Sequence, residues 1–296
     1  MKRYLNILTI LFFINCNNTA TKEKYLQIDT LKTNSDTSFQ QKVSVEDWEE
    51  KGNKLRDTNY KFLNRLLDKV LKTAEHHKKD NFYNGIIDTS VFHFKNINAT
   101  FQFGNFFSSD RKHLIIRRFI NEYDGIETSL FSDIYILKGN KFEKIISDTA
   151  DIGYSQDTLQ DINLDGYKDF VISQYSGAGC CPRDARVAYL YNVKNGKFKT
   201  VDFFNPEFDN TNKCIYEMDY GSPGLVSIEK SKWIGLSKIK IESISPTHFQ
   251  NRIDSFEKPY TYTKTIYPSE KLLILKEVPK EYKKLKNFEY FIGYQN

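Results

Sequence analysis

Asp161, Asn163, Asp165 and Asp169 place four oxygen-bearing side chains at positions 1, 3, 5 and 9 of a nine-residue stretch, with Gly166 at position 6. This alternation lets Asp161, Asn163 and Asp165 converge on one point. Tyr167 adds its backbone carbonyl, and Asp169 binds directly or through water. The set is all oxygen and suits a hard cation such as Ca²⁺, which takes roughly six to eight oxygen ligands in a flexible shell. Gly166 permits the sharp turn because it lacks a Cβ, while Ile162 and Leu164 point away and anchor the loop. Three carboxylates this close repel one another, so the empty loop is expected to be loose or partly protonated. The same residue types also build ordinary turns without an ion. The density of oxygen donors favours the ion, and one Ca²⁺ is the cofactor this reading implies.

An EF-hand requires a glutamate at position 12 of its loop; here that position is Ile172. The residues after Asp169 are Phe170-Val171-Ile172-Ser173-Gln174-Tyr175, rich in strand formers. The loop therefore leads into a strand. Asp-x-Asn-x-Asp-Gly-x-x-Asp followed by Phe-Val-Ile resembles the calcium loops of FG-GAP/VCBS-type repeats. It is also similar to the single such loop in small periplasmic β-proteins of the lysozyme-inhibitor type. The resemblance covers about residues 130–205. It implies calcium and a β-fold, with only one such loop and hence a partial propeller at most.

The first residues carry an address. Met1-Lys2-Arg3 is basic, Leu5 to Ile14 is mostly apolar, and Cys16 follows ahead of polar Asn17-Asn18-Thr19. A charged start, a short apolar stretch and a cleavage zone read as a secretory signal. The stretch is shorter than the ~20 apolar residues a membrane-spanning helix needs. Cys16 directly after it resembles a bacterial lipobox, which makes Cys16 the lipidated first residue and the lipid the anchor to a bacterial membrane. Without lipidation the same segment is an ordinary signal peptide. Either route takes the mature protein out of the cytoplasm, the lipidated one to the bacterial cell envelope facing the periplasm or cell surface, where calcium can fill a weak site of about 10⁻⁴–10⁻³ M.

The chain has 296 residues, 40% hydrophobic and 15% aromatic, enough for one large or two small domains. Tyr (19) and Phe (23) far outnumber Trp (2) and Met (2), which favours strands. The formal charge is +5, and loss of Lys2 and Arg3 takes it to +3, too little and too evenly spread for a nucleic-acid partner. With Cys16 lipidated, Cys180, Cys181 and Cys214 remain, an odd number. Outside the cytoplasm a bridge is expected. Cys214 with Cys180 or Cys181 closes a loop of about 34 residues and contributes roughly 3–4 kcal/mol; an adjacent Cys180–Cys181 bridge is the strained alternative.

The chain then divides into a signal at residues 1–15, a polar tether at 16–43, a helical segment at 44–85 and a β-rich calcium-loop domain at 86–296. Leu55, Phe62, Leu63, Leu66, Leu67, Val70 and Leu71 recur at helical spacing, with Gly52-Asn53 a candidate break into two helices. The apolar face is expected to dock on the β domain. From residue 86 the period falls to two. Twelve candidate strands follow, including Gly224–Glu229 and a long Lys232–Ser243, with tight turns at Gly139-Asn140 and Asn195-Gly196. The segments Ile134–Phe142 and Ala188–Phe198 echo each other, which predicts two hairpins in one sheet. Pro279–Lys286 reads as a short closing helix, and Phe288–Ile292 as core aromatics. The expected fold is mainly β, an antiparallel sandwich or partial propeller-like meander with an N-terminal helical segment.

Recognised catalytic motifs are missing: there is no nucleophile elbow, His-Glu-x-x-His, P-loop or dinucleotide fingerprint. The five histidines lack zinc-ligand spacing. Three functions remain open. The first is a non-enzymatic, calcium-stabilised envelope module that presents residues 177–184 to a protein or glycan. The second, from the resemblance, is an inhibitor or accessory factor of a cell-wall lytic enzyme. The third is a hydrolase whose acids lie in a cleft away from the loop.

Overall fold

The computed structural model describes residues 45–87, 97–123, 126–150, 154–175, 184–219, 221–247 and 261–293. Among the described residues, a single helix, α1 (Val45–His76), precedes three antiparallel sheets whose strand order follows the chain. The first sheet holds β1 (Phe82–Ile87), β2 (Ile97–Gly104), β3 (His113–Tyr123), β4 (Ile126–Lys138) and β5 (Lys141–Ala150). The second holds β6 (Tyr154–Gln160), β7 (Asp169–Tyr175), β8 (Asp184–Asn192) and β9 (Lys197–Phe204). The third holds β10 (Glu207–Asp209), β11 (Cys214–Met218), β12 (Ile228–Ile234), β13 (Ser237–Thr247), β14 (Thr261–Ile266) and β15 (Lys271–Leu275). The short helix α2 (Phe288–Ile292) closes the described chain. The protein is thus mainly β, built from consecutive meanders.

Alternation of side chains along each strand stacks these sheets. In β3, Leu114 and Ile116 pack under Phe62, Leu63, Leu66, Val70 and Ala74 of α1, whereas Ile115 points the other way, to Phe170, Ile172 and Tyr191 of the second sheet. In the second sheet, Val171, Ala188, Leu190 and Phe203 turn to the far side and meet Ile215 of β11. In the third, Cys214, Tyr216 and Met218 face away from that junction and pack on Tyr282, Tyr290, Phe291 and Ile292. The order of layers is helix, first sheet, second sheet, third sheet and C-terminal segment. Polar locks fix α1: Arg118 donates to the Leu63 carbonyl (3.1 Å) and pairs with buried Asp133 (2.6 Å), which also accepts from Ser147 and Lys144.

Several expectations are corrected. The helix runs unbroken through Gly52 and Asn53. One interior glycine costs only about 1 kcal/mol, less than the loss of a turn on a docked helix. β1 crosses the boundary expected between helical and β segments, and β6, β10 and β11 are strands beyond those expected. The expected strand 232–243 is a hairpin, turning at Gly235 with φ +58°. The irregular stretch before β12 replaces most of the strand expected at 224–229. The two echoing hairpins lie in different sheets, the first and second, because apolar residues on both faces of β7 and β8 need a covering sheet on each side. The closing helix shrinks to a 3₁₀ turn at Tyr282–Lys284, and residues 288–292 form α2 with its aromatics in the core. The candidate strand 90–95 and residues His93 and His248 lie outside the described residues.

His113 opens β3 fully buried, edge-on to Phe107 (4.9 Å between ring centroids) and Tyr191 (5.8 Å), with no hydrogen-bond partner on either ring nitrogen. Burial pushes its pKa down to about 4, against a favourable contribution from the Arg111 backbone; the Arg111 charge lowers it further and Asp110 opposes. The unfolded chain takes up this proton near pH 6.5, the folded chain near 4, so the contribution of His113 to stability rises with pH across that window, while a buried carboxyl with a raised pKa, Asp169, contributes in the opposite direction. In urea denaturation the wild type should therefore lose roughly 3 kcal/mol relative to His113→Phe between about pH 6.5 and 4, a comparison in which the opposite contribution of Asp169 cancels. His113→Phe should flatten that part of the profile; equal slopes in the two proteins would contradict a neutral buried imidazole.

Candidate metal centre

The loop from Asp161 to Asp169 joins β6 to β7, at the start of the most buried strand pair of the middle sheet. Leu164 (φ +60°) and Gly166 (φ +93°) are left-handed and curl the chain back on itself. A leucine in that conformation costs roughly 1–2 kcal/mol, so the loop's own contacts must hold it there. Asp161 supplies them: its carboxylate accepts from the amides of Asp165 (3.0 Å) and Gly166 (2.8 Å). Asn163 Oδ1 accepts from Asp165 N (3.3 Å), and Asn163 Nδ2 donates to Asp165 Oδ2 (3.0 Å). Asp165 Oδ1 accepts from Tyr167 N (3.0 Å). Ile162 is buried among Val171, Ala188 and Phe203, the anchor expected of it. Leu164 is half-buried.

Asp169 differs from the other two acids. It is fully buried, and its two oxygens accept from Ile162 N (3.1 Å) and from Tyr191 N (2.8 Å) on β8. One carboxylate thereby ties the loop to a strand 22 residues further along the chain. Burial pushes this carboxyl up to about 7; the amides of Tyr191 and Ile162 pull it down, and Asp165 and Asp161 add to the rise.

The donor chemistry of Asp161, Asn163, Asp165, the Tyr167 carbonyl and Asp169 fits a hard cation. Their arrangement is that of an amide-filled turn: Asp161 and Asp165 turn to loop amides and Asp169 to the strand. Among the described residues, no three His, Cys, Asp or Glu side chains gather into a metal-holding group. The loop is an ordered hydrogen-bonded turn.

Of the cysteines, Cys16, Cys180 and Cys181 lie outside the described residues. Cys214 starts β11 buried, and its thiol is free, donating to the Asn212 carbonyl at 3.4 Å. Among the described residues no helix is long and apolar enough to cross a membrane.

The chain matches no family model, no curated protein and no solved structure. Its own architecture nevertheless repeats. His113, Asp169 and Cys214 each begin the second strand of a four-stranded run (β2–β5, β6–β9, β10–β13), paired with Gly104, Gln160 and Asp209. All three are buried at the same relative place. Only the middle run carries the nine-residue Asp/Asn loop ahead of that position. Sequence reasoning missed the Tyr191 amide, since a backbone donor has no side-chain signature.

Removing the Asp169 carboxylate orphans two buried amides. At about 1–3 kcal/mol for each unsatisfied group, Asp169→Ala should cost on the order of 2–5 kcal/mol in urea denaturation. Asp169→Asn keeps one acceptor and should cost less. Equal stabilities for the wild type and Asp169→Ala would mean that the tie to β8 is dispensable.

Proposed function

We propose that this chain is a calcium-stabilised, non-enzymatic binding module, held at the bacterial envelope by a lipid on Cys16, that engages a protein or glycan ligand. The observation that carries the reading is the way the Asp161–Asp169 loop is built into the fold. Its base is tied to β8 by Asp169, and its tip keeps the carboxylates of Asp161 and Asp165 beside loop amides. Asp161, Asn163, Asp165, the Tyr167 carbonyl and Asp169 would hold the ion. When bound, Ca²⁺ supplies charge neutralisation to the crowded acids and rigidity to the β6–β7 connection, with no part in bond breaking. The signal-like first residues and Cys16 support the address. The absence of a recognised catalytic motif from the sequence supports a binding role.

Thermal unfolding of the chain from Thr21 onward, with Ca²⁺, Mg²⁺ or chelator, tests the ion. A site filled to about 100 times its Kd adds about 2.7 kcal/mol, or roughly 5–10 °C at this size. The rise should be specific to calcium and vanish in Asp161→Ala/Asp165→Ala. An unchanged Tm in every metal would reduce the loop to a structural turn.

A further inference from the structure

The third sheet carries a second feature, away from the Asp161–Asp169 loop. Its face toward the second sheet is covered only in part. Ile215 and Trp233 sit under Phe203, and Lys199 and Asp202 of β9 reach Ser237 and Lys238 at the start of β13; from there the face continues over β14 and β15. At the margin of cover a cleft of about 520 Å³ opens, lined by Phe204, Glu217, Asp219 and Glu229. Phe204, the last residue of β9, is 52% exposed, an aromatic ring held on a rigid strand at the rim.

The acids of the cleft are built in. Glu217 is only 9% exposed; one oxygen accepts from Phe204 N (3.1 Å) and the other from Lys238 Nζ (2.7 Å). Glu229 pairs with Lys240, whose ammonium also lies 4.7 Å from the Tyr267 ring centre. Asp219 stands exposed at the mouth with no lysine of its own among these pairs. Three carboxylates against two ammonium groups leave one negative charge. That balance disfavours an anionic polymer, while each Glu–Lys pair offers an acceptor and a donor side by side, the complement of a hydroxyl group, which needs both.

The cleft opens onto a shelf. Strand register aligns Glu217, Glu229, Ser243, Thr265 and Leu272 across β11 to β15 in one row. A second row runs Ser245, Thr263 and Ile274. All lie opposite the face that Met218, Ile228, Ile244 and Tyr262 bury against the C-terminal segment. The serines and threonines are half-buried, and Leu272 and Ile274 are each 64% exposed. Four strand spacings of about 4.8 Å make the first row roughly 19 Å long, enough for several sugar units laid end to end. The rows grade from acids through hydroxyls to exposed apolar side chains, with the Phe204 ring at the acidic end: polar groups for the hydroxyl edges of a saccharide lie between two apolar surfaces for its ring faces.

We propose that the Phe204 cleft and the shelf beyond it bind an extended, uncharged glycan. The proposal rests on the binding-module reading and names its ligand; it does not use the ion loop. The test is isothermal titration of the full chain, in a detergent without a sugar headgroup, with three uncharged hexasaccharides: cellohexaose, maltohexaose and the N-acetylglucosamine hexamer. A hexagalacturonate serves as the anionic comparison. At least one uncharged chain should bind saturably. Phe204→Ala and Leu272→Asp, both at exposed positions, should each weaken it by about tenfold or more. Binding that persists unchanged in both variants overturns the site. So does heat from the anionic chain alone, or from none of the four. If none binds while calcium still raises Tm specifically, the glycan proposal fails and the ion-loop reading stands. A glycan that is bound at this site and then shortened keeps the proposal and overturns the non-enzymatic reading.

Discussion

The second sheet is covered on both faces, and the rest of the architecture follows from that constraint. An antiparallel sheet commonly leaves one face to water; here Phe170, Val171 and Ile172 are consecutive and all essentially inaccessible. No polar side chain fits in the middle of such a strand without a partner. Polar groups are therefore pushed to the strand ends and rims. Asp169 stands at the start of β7 with two amides, and Arg117 reaches Asp157 at the rim between the first two sheets (2.6 and 2.7 Å). Tyr189 reaches Asp148 across the same junction, and burial, with Asp148 beside it, keeps its phenol protonated well above the ordinary range.

A middle sheet of this kind needs two neighbours, and each neighbour then has an outer face to hide. The first sheet hides its own under α1 and adds the Arg118–Asp133 pair. Leaving such a pair half-made costs roughly 3–5 kcal/mol, so this contact specifies how the helix docks more than it adds net stability. The third sheet uses the C-terminal segment, where Tyr282 is fully buried and donates to Glu242 (2.7 Å), itself paired with Lys264 and Lys230. Both caps combine an apolar stripe with one charge network, buried under α1 and half-buried at the C-terminal segment. Apolar packing alone leaves sliding of the layers cheap, whereas a hydrogen-bonded charge tolerates little displacement.

The same logic separates the two candidate sites. The Asp161–Asp169 loop lies where a strand enters the doubly covered sheet, so its acids are tied to backbone and its role in the proposal is structural. The Phe204 cleft lies where cover runs out, so its acids are fixed from below and open above. Rigid, pre-paired groups at a margin of burial are what a binding surface requires. Of the three equivalent strand starts, one holds a neutral imidazole, one a carboxylate and one a thiol. The place is constant and buried, and the residue and its hydrogen-bond partners differ: none for His113, two amides for Asp169 and one carbonyl for Cys214.

Much of this was legible locally. The nine-residue loop, the strand after it, the helix of Phe62, Leu63, Leu66 and Val70, and the turns at Gly139 and Gly196 all follow from spacing and residue type, because they depend on covalent geometry over a few residues. The strands that escaped notice are those whose signal is weak: β1 contains Asn84 and Gly85, β6 is largely polar, and β11 is five residues after a turn of Asp209 to Lys213. Gly235 hid inside an apolar run that reads as one strand. The chain by itself determined the mainly β character, the helix and the oxygen-rich loop. Only the tertiary structure decided that the two echoing hairpins fall in separate sheets, that Asp169 is held by the amide of Tyr191, and that Phe204 stands beside Glu217. Those outcomes depend on which distant segments cover which face, and a backbone amide or a margin of burial leaves no mark in the order of side chains.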